Sequence, residues 1–411
     1  MHTLDRLICD IALAQTDNLA QVRDIAVFSD PHGSLVEFAI GHLQRHPSSR
    51  LFIGSRDLLE TFAALDLADN AGVEDRVFAA GYETEIQLDI FFDDARAGFN
   101  GRIVPAEIDL ALTQLPKSLE ELRYFSRALA GAGKLAKTEV EALAESVAQP
   151  LVFVAGGNNK HMTRSQNEVL AEVFAQVQAS RGRGKFRCLV GTGALADAQP
   201  YQPRMGKLSL PCLERPAALY GVGGVFSGGK ADHGGELLAQ TAITDYLQLL
   251  EMSLRSTQAQ RESQARRREF TLLDLGCGNG LVSRAFADIF PRAQIFDTDI
   301  SADAITSTHL TMLSEILDGR VKISWDDAAH SIPDGEMDLV LLNPPFHHGT
   351  EIDPTLVQHL LDAAQRKLRV NGLLYFVHNS HLRYRPELEA RFNVVEELAR
   401  NTKFTVLRAS K

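Results

Sequence analysis

Asn343-Pro344-Pro345-Phe346 closes the apolar run Met337–Leu342 and combines residue types that can hold a planar exocyclic NH2 group. The lone pair of such a nitrogen is delocalised into its ring or carbonyl, so it attacks poorly until something orients it. The side-chain oxygen of Asn343 and the backbone carbonyl of Pro344 can accept both N–H protons and aim the lone pair at an electrophilic methyl group. Two prolines fix φ and remove two backbone donors, which leaves carbonyls facing the site. Phe346 can stack on a flat ring. The same residues would also serve as a plain turn after a buried strand, because Pro-Pro ends strands wherever it occurs. A second motif favours the chemical reading.

Thr271-Leu-Leu-Asp-Leu-Gly-Cys-Gly-Asn-Gly280 is a short apolar strand entering a glycine-rich turn. Leu281, Val282, Ala285, Phe286 and Ile289 then recur at helical spacing. Gly276, Gly278 and Gly280 lack Cβ, so the backbone can turn tightly and approach a ligand closely. The free N–H groups at the helix start favour an anionic group there. A dinucleotide-binding turn would put its third glycine at 281, where this chain has Leu. The spacing G-x-G-x-G, led by Asp274, instead resembles the S-adenosylmethionine (SAM) loop of class I methyltransferases, and Cys277 fits that turn by its small size. A predicted strand over 293–296 runs into Asp297-Thr298-Asp299-Ile300-Ser301. An acidic residue some 20 positions beyond the glycine loop suits the two hydroxyls of a ribose. Asp299, with Ile300 beside it, is the first choice and Asp297 the second, although Asp299 or Ser301 could equally cap the helix predicted over 302–313. After a strand at 321–324, Trp325-Asp326-Asp327 offers a carboxylate to an adenine amino group, Asp327 slightly ahead of Asp326, with a solvated turn as an equal alternative. A helix over 354–368 and a strand over 373–377 complete the α/β alternation.

The 411 residues, 45% of them hydrophobic, are enough for two cores. No run of 18 apolar residues occurs, and the first ten residues carry charges where a secretory signal would be apolar. Cys9, Cys188, Cys212 and Cys277 form no C-x-x-C pair and no metal spacing. The expectation is a cytoplasmic monomer with no metal and no membrane partner. The net charge of −11 is uneven: residues 1–100 hold 17 acidic and 7 basic side chains, whereas 101–411 hold 36 and 35. Basic clusters at 181–187, 266–268 and 383–385 therefore keep a nucleic-acid partner open, although each is also a plausible solvated face.

A faint internal repeat organises the chain. Asp109-Leu-Ala-Leu-Thr-Gln-Leu-Pro-Lys117 superposes without gaps on Asp338-Leu-Val-Leu-Leu-Asn-Pro-Pro-Phe346. Residues 150–154 echo 373–377, and Ile25–Phe28 with Asp30-Pro-His-Gly33 parallels Leu272–Gly280. In the first copy Gln114 and Lys117 stand for Asn343 and Phe346, and only Gly33 survives of three glycines. The predicted fold is α/β, with two tandem Rossmann-like class I methyltransferase domains. Residues 1–205 form a degenerate copy serving RNA recognition or support, and 206–411 the catalytic one. The polar stretch 196–210 joins them, and 208–225 reads as hairpin strands. The glycines of 224–234 would let that segment fold over a ligand.

Together, Phe226-Ser227…Asp232-His-Gly234…Leu237-Leu238, Asp274–Gly280 and Asn343–His347 resemble the bacterial rRNA (guanine-N2)-methyltransferases. The tail Val377-His-Asn379-Ser-His-Leu382 and Thr402-Lys-Phe-Thr-Val-Leu-Arg408 is similar to that family too, as are Leu115-Pro-Lys117 and Val154–Lys160 in the first copy. The resemblance implies transfer of a methyl from SAM to guanine N2 in ribosomal RNA, naked or in a partly assembled subunit. Asn343, Pro344, Pro345 and Phe346 would carry it. Asp274, Gly276, Cys277, Gly278, Gly280, Asp299, Ile300, Asp326, Asp327 and Asn343 would hold the cofactor, with Phe346 and His347 on the substrate; His348 has no counterpart. A protein-glutamine N5-methyltransferase is the alternative, since an amide NH2 is also planar. An NAD-dependent oxidoreductase and a non-catalytic RNA-binding protein are further alternatives.

Overall fold

The structure is a computed structural model describing residues 1–16, 21–82, 84–88, 90–91, 98–99, 102–103, 108–131, 149–254, 264–345 and 354–411. Its chain contacts divide it into two compact units, Met1–Gln202 and Pro203–Lys411. Among the described residues no helix is long and apolar enough to cross a membrane.

The first unit contains β1 (Asp24–Val27), β2 (Arg50–Ile53), β3 (Val77–Ala79), the two-residue pair β4 (Gly98–Phe99) and β5 (Arg102–Ile103), β6 (Ile108–Gln114), β7 (Gln149–Asn158), β8 (Phe174–Ala179) and β9 (Phe186–Ala194). Seven of these form one sheet in the order β3-β2-β1-β6-β7-β9-β8. The second unit opens with the hairpin β10 (Arg204–Leu208) and β11 (Ala217–Gly221), shorter than the strands expected over 208–225. Its sheet uses β12 (Thr271–Leu275), β13 (Gln294–Asp299), β14 (Val321–Trp325), β15 (Met337–Leu342), β16 (Leu368–Asn379), β17 (Val394–Arg400) and β18 (Phe404–Ser410). The order is β14-β13-β12-β15-β16-β18-β17, parallel except where β18 pairs antiparallel with β16 and β17.

The two sheets have the same strand order and the same directions. Both bury two faces, which explains strands such as Met337–Leu342 that read as continuous apolar runs rather than alternating ones. The registers extend the repeat. Ile25 pairs with Leu51 and Leu110, while Leu272 pairs with Ile295 and Leu339. Counting onward from these pairs, Pro31 holds the place of Gly278, Ser55 that of Asp299 and Gln114 that of Asn343. Gly33 and Gly280 each start the following helix in left-handed conformation, at φ 69° and 77°. Gly278 has φ 58°, which a proline ring cannot adopt, so the first unit cannot form the second unit's turn. The N-terminal copy is degenerate in its backbone as well as its side chains.

Other element boundaries differ from the sequence reading: the strand expected over 373–377 is Leu368–Asn379. The strand expected over 293–296 is Gln294–Asp299, which takes Asp297 inside it, and the helix expected over 302–313 breaks at Met312 into Ala302–Thr311 and Leu313–Leu317.

Candidate active site

Leu275, the last residue of β12, pairs with Leu342, the last of β15. The glycine turn and Asn343-Pro344-Pro345 therefore leave neighbouring parallel strands side by side, about 5 Å apart. Here β12 has β13 on one side and β15 on the other, so the chain switches direction across the sheet, where open α/β sheets hold their ligands. Gly276 and Gly278 have φ 80° and 58°, and a Cβ on either would meet nothing within 4 Å. These positions border open space. Gly280 is different: a Cβ there would come within 3.2 Å of the Thr308 side chain.

Asp299 ends β13 and holds the turn. Its Oδ2 accepts from the Gly278 N–H at 3.0 Å and its Oδ1 from the Ser301 N–H at 2.8 Å. Ser301 is the residue that caps the helix Ala302–Thr311. The Ile300 carbonyl accepts from Trp325 Nε1 at 2.7 Å, which ties the loop after β13 to the end of β14. Asp326 spends one carboxylate oxygen on the Ser331 N–H and hydroxyl, at 2.8 and 2.6 Å. Asp327 is half-exposed and lies 3.6 Å from His359 Nε2. Directly after them the chain enters Ala328 and Ala329, both buried and both at positive φ (47° and 57°), strain that side-chain-bearing residues tolerate only where the surroundings enforce it.

Asp274 turns into the core. It is 2% exposed and accepts from the Ser283 hydroxyl at 3.0 Å, while Asp297, 0% exposed, contacts the same hydroxyl. One hydroxyl proton cannot serve two carboxylates, so the cluster holds an additional proton. Burial pushes Asp274 up to about 7, and burial together with the charge of Asp274 pushes Asp297 well above the usual carboxylate range. Asp297 thus belongs to the turn's support and not to a ribose. Cys277 is buried, and burial with Asp297, Asp299 and Asp274 around it pushes its thiol well above its ordinary range, as expected of a packing residue.

Asn343 is half-buried, Pro344 buried and Pro345 exposed. Phe346, His347 and His348 lie outside the described residues. The Asn343 amide is oriented by Asp232, which the sequence motif includes without a role. Its Nδ2 donates to Asp232 Oδ2 at 3.0 Å, and the same oxygen accepts from the Gly235 N–H at 2.8 Å as the N-cap of the helix His233–Met252. An amide whose NH2 faces a carboxylate must point its oxygen elsewhere, and Asn343 Oδ1 lies toward Gly234, where a Cβ would come within 3.4 Å of it. The signal was present in Asp232-His-Gly234, but an acid at a helix start has an ordinary capping explanation.

Asn279 was also missed. Its Nδ2 donates to the carbonyls of Gly228 and Lys230 at 2.9 and 3.1 Å. Asp303 accepts from the Gly224 N–H at 2.7 Å and Ser307 from the Val222 N–H at 2.9 Å. The glycine-rich 222–232 segment is therefore fastened to the cofactor-side elements, where its composition had suggested a free flap. A groove of about 520 Å3, lined by Ser209, Pro211, His233, Lys403 and Phe404, runs along the start of the same helix.

Residues 217–408 match the methyltransferase small domain family. The chain is 29% identical to a ribosomal RNA large subunit methyltransferase G from Shewanella amazonensis, over 66% of this chain and 64% of that protein. A protein of the same name from Ectopseudomonas mendocina is 33% identical over 63% of each chain. The chain spans just under two thirds of the length of these two relatives. Among solved structures, the T. thermophilus 16S rRNA N2 methyltransferase RsmC, in complex with AdoMet and guanosine, has a TM-score of 0.65 at 19% identity, covering 100% of this chain and 92% of that one. Residues 217–408 carry a methyltransferase small domain, and the whole chain shares its fold with RsmC. SAM is the family's cofactor, and the residues of this turn fit it. Two glycines border open space, carboxylate Asp299 stands at the adjoining strand end, and Asn343 faces the same end of the sheet.

Proposed function

We propose that this protein transfers the methyl group of SAM to the exocyclic N2 of a guanine in ribosomal RNA, with the large-subunit RNA as substrate. The observation that carries the reading is the pairing of Leu275 with Leu342, which sets an oriented Asn343 amide beside an open glycine cradle. The large-subunit choice rests on the names of the relatives at 29% and 33% identity.

The cofactor supplies an electron-poor methyl, so the protein's tasks are position and exclusion of water. Gly276 and Gly278 let the backbone approach the donor, and Asp299, held by two backbone N–H groups, presents its carboxylate to a diol. Asn343 Oδ1 and the Pro344 carbonyl accept the two N2 protons, which turns the nitrogen lone pair toward the methyl. The proton released after transfer leaves from a nitrogen that has become far more acidic, so no strong base is required. A guanine inside a stem hides N2 in the minor groove, and the base must be flipped out or presented unpaired to reach Asn343. The groove along His233, Lys403 and Phe404 is where neighbouring nucleotides would lie, with a cation for phosphate and a ring for a base.

The test is a map of methylated guanines in both ribosomal RNAs from cells with and without the gene. One N2-methylguanine missing from the large-subunit RNA, and restored by the wild-type gene but not by Asn343→Ala, is the expected result. An unchanged map removes the reading, and methylation of a glutamine peptide by the purified protein would replace it with the protein-glutamine alternative.

A further inference from the structure

The turn after β1 in the first unit, where the cofactor turn has decayed, carries a different cluster. His2, Asp5 and His32 each bring one ligand atom within 4.8 Å of the other two. Asp5, on the helix Thr3–Gln15, is 0% exposed, and its Oδ2 has no hydrogen-bond partner. His32 Nδ1 lies 3.1 Å from that oxygen, out of line for a hydrogen bond. Gln114 Nε2 donates to the other oxygen, Asp5 Oδ1, at 2.7 Å and lies 3.1 Å from the same His32 Nδ1. No tautomer of His32 satisfies this arrangement. If Nδ1 carries its lone pair toward the Gln114 amide, it faces Asp5 Oδ2 lone pair to lone pair; if Nδ1 is protonated, it meets the amide N–H. A bare buried carboxylate oxygen is costly to leave uncompensated.

We propose that this cluster is a binding site for a divalent transition-metal ion of the Zn2+ type, held by His2, Asp5 and His32. A cation between Nδ1 and Oδ2 takes both lone pairs at once and supplies the missing partner of the buried carboxylate. Two imidazoles with one carboxylate form a donor set for borderline ions such as Zn2+ rather than for Mg2+ or Ca2+. Ligand atoms around a tetrahedral Zn2+ lie roughly 3.3 Å apart, and the present separations, 3.1 Å for one pair and up to 4.8 Å for the set, bracket that value. His2 caps the helix through Nδ1, which accepts from the Leu4 N–H at 3.4 Å, and keeps its other ring nitrogen. Gln114 becomes the outer partner that orients the ligating carboxylate. The ion would join the N-terminal helix to the β1 turn, so the place that lost one ligand would have gained another. The exposed rings of His2 and His32, stacked at 4.6 Å, leave room for a fourth, solvent ligand.

The full-length protein, stripped with chelator and desalted, is titrated with Zn2+ alone by calorimetry, and retained metal is counted by mass spectrometry. The expected result is one equivalent bound, with affinity falling on the order of a hundredfold in His32→Ala and roughly tenfold in Gln114→Leu. Asp5→Asn should also abolish binding; because Asp5 is buried, its fold is checked by circular dichroism. His32→Ala is the deciding variant, since that side chain is 44% exposed and its loss leaves the core intact. A Zn2+-dependent rise in the unfolding midpoint of wild type, absent in His32→Ala, is the second readout. No retained metal in wild type, or equal retention in wild type and His32→Ala, overturns the proposal.

Discussion

The contact between Asp232 and Asn343 makes a prediction that separates catalysis from folding. Asp232 Oδ2 does two things at once: it caps the helix His233–Met252 through the Gly235 N–H and fixes the Asn343 amide. Losing an N-cap costs about 1 kcal/mol of stability. Losing a hydrogen bond to a charged partner costs about 1.5–3 kcal/mol, and here that loss falls on the orientation of the group that grips the substrate amine. If the whole of it appears in the transition state, kcat drops about 10- to 150-fold. Asp232→Ala removes both contacts, whereas Asp232→Ser restores a capping hydroxyl on a side chain too short to reach Asn343. Asp232→Ser should therefore unfold close to wild type while losing about as much kcat as Asp232→Ala, with the KM for SAM nearly unchanged in both. The assay is methyl transfer from labelled SAM to the RNA substrate under saturating cofactor, alongside thermal unfolding. Wild-type kcat in Asp232→Ser would refute the orienting role, and a kcat loss that merely follows the melting temperature would reduce Asp232 to a cap.

Other consequences are simpler. Asp299→Ala removes acceptors for both the Gly278 and Ser301 N–H groups, so SAM affinity should fall about 10- to 100-fold by calorimetry while the global fold persists. Gly278→Val should block SAM binding with little change in secondary structure, because it places a branched side chain in the open cradle and at φ 58°. Asn343→Ala should abolish transfer and leave SAM binding largely intact; equal loss of both would contradict its role on the amine. The Asp274–Ser283–Asp297 cluster predicts a pH dependence of stability. An acid whose proton affinity is raised by folding contributes fully below its unfolded pKa and loses that contribution as pH climbs through the folded value. For Asp274, raised by burial from 3.8 to about 7, the loss spans that window. Asp297→Asn, which keeps one permanent donor in the cluster, should flatten the chemical-denaturation curve against pH, and an unaltered slope would sink the shared-proton account.

How much of this was legible from residues alone depends on whether a role shows itself locally. The glycine turn and the amine loop were visible because their spacing is dictated by backbone geometry within a few residues, and the repeat was visible because strand registers in a buried sheet tolerate no slippage. Asp299 stood out for the same reason, at a fixed distance from the turn. Asp232 did not, because its partner is 111 residues away and its capping role explains it locally. Asp299 was preferred to Asp297 for its neighbours Ile300 and Ser301, and the structure supplies the physical reason: the strand runs on to Asp299, which drops Asp297 into the core and leaves Asp299 at the edge. Asn279 looked like filler between two glycines, yet it fastens a loop some 50 residues earlier in the chain.

Comparison of the two copies isolates what a methyl-transfer site needs beyond its fold. Both keep the sheet order, both keep a left-handed glycine at the helix start, and both keep an amide at the end of the central strand. In each, that amide donates to a carboxylate from the helix preceding the sheet: Asn343 to Asp232 in one, Gln114 to Asp5 in the other. The amide–carboxylate pair is therefore a property of the scaffold and by itself confers no chemistry. Beyond Lys117 in place of Phe346, two losses fall on the cofactor side. Pro31 replaces Gly278, where φ must be positive, and Ser55, buried and bonded to Glu60 at 3.2 Å, replaces Asp299. Those are the turn that lets a cofactor approach and the carboxylate that would hold it. It follows that Gln114→Asn alone restores nothing, since the amide was never the missing part.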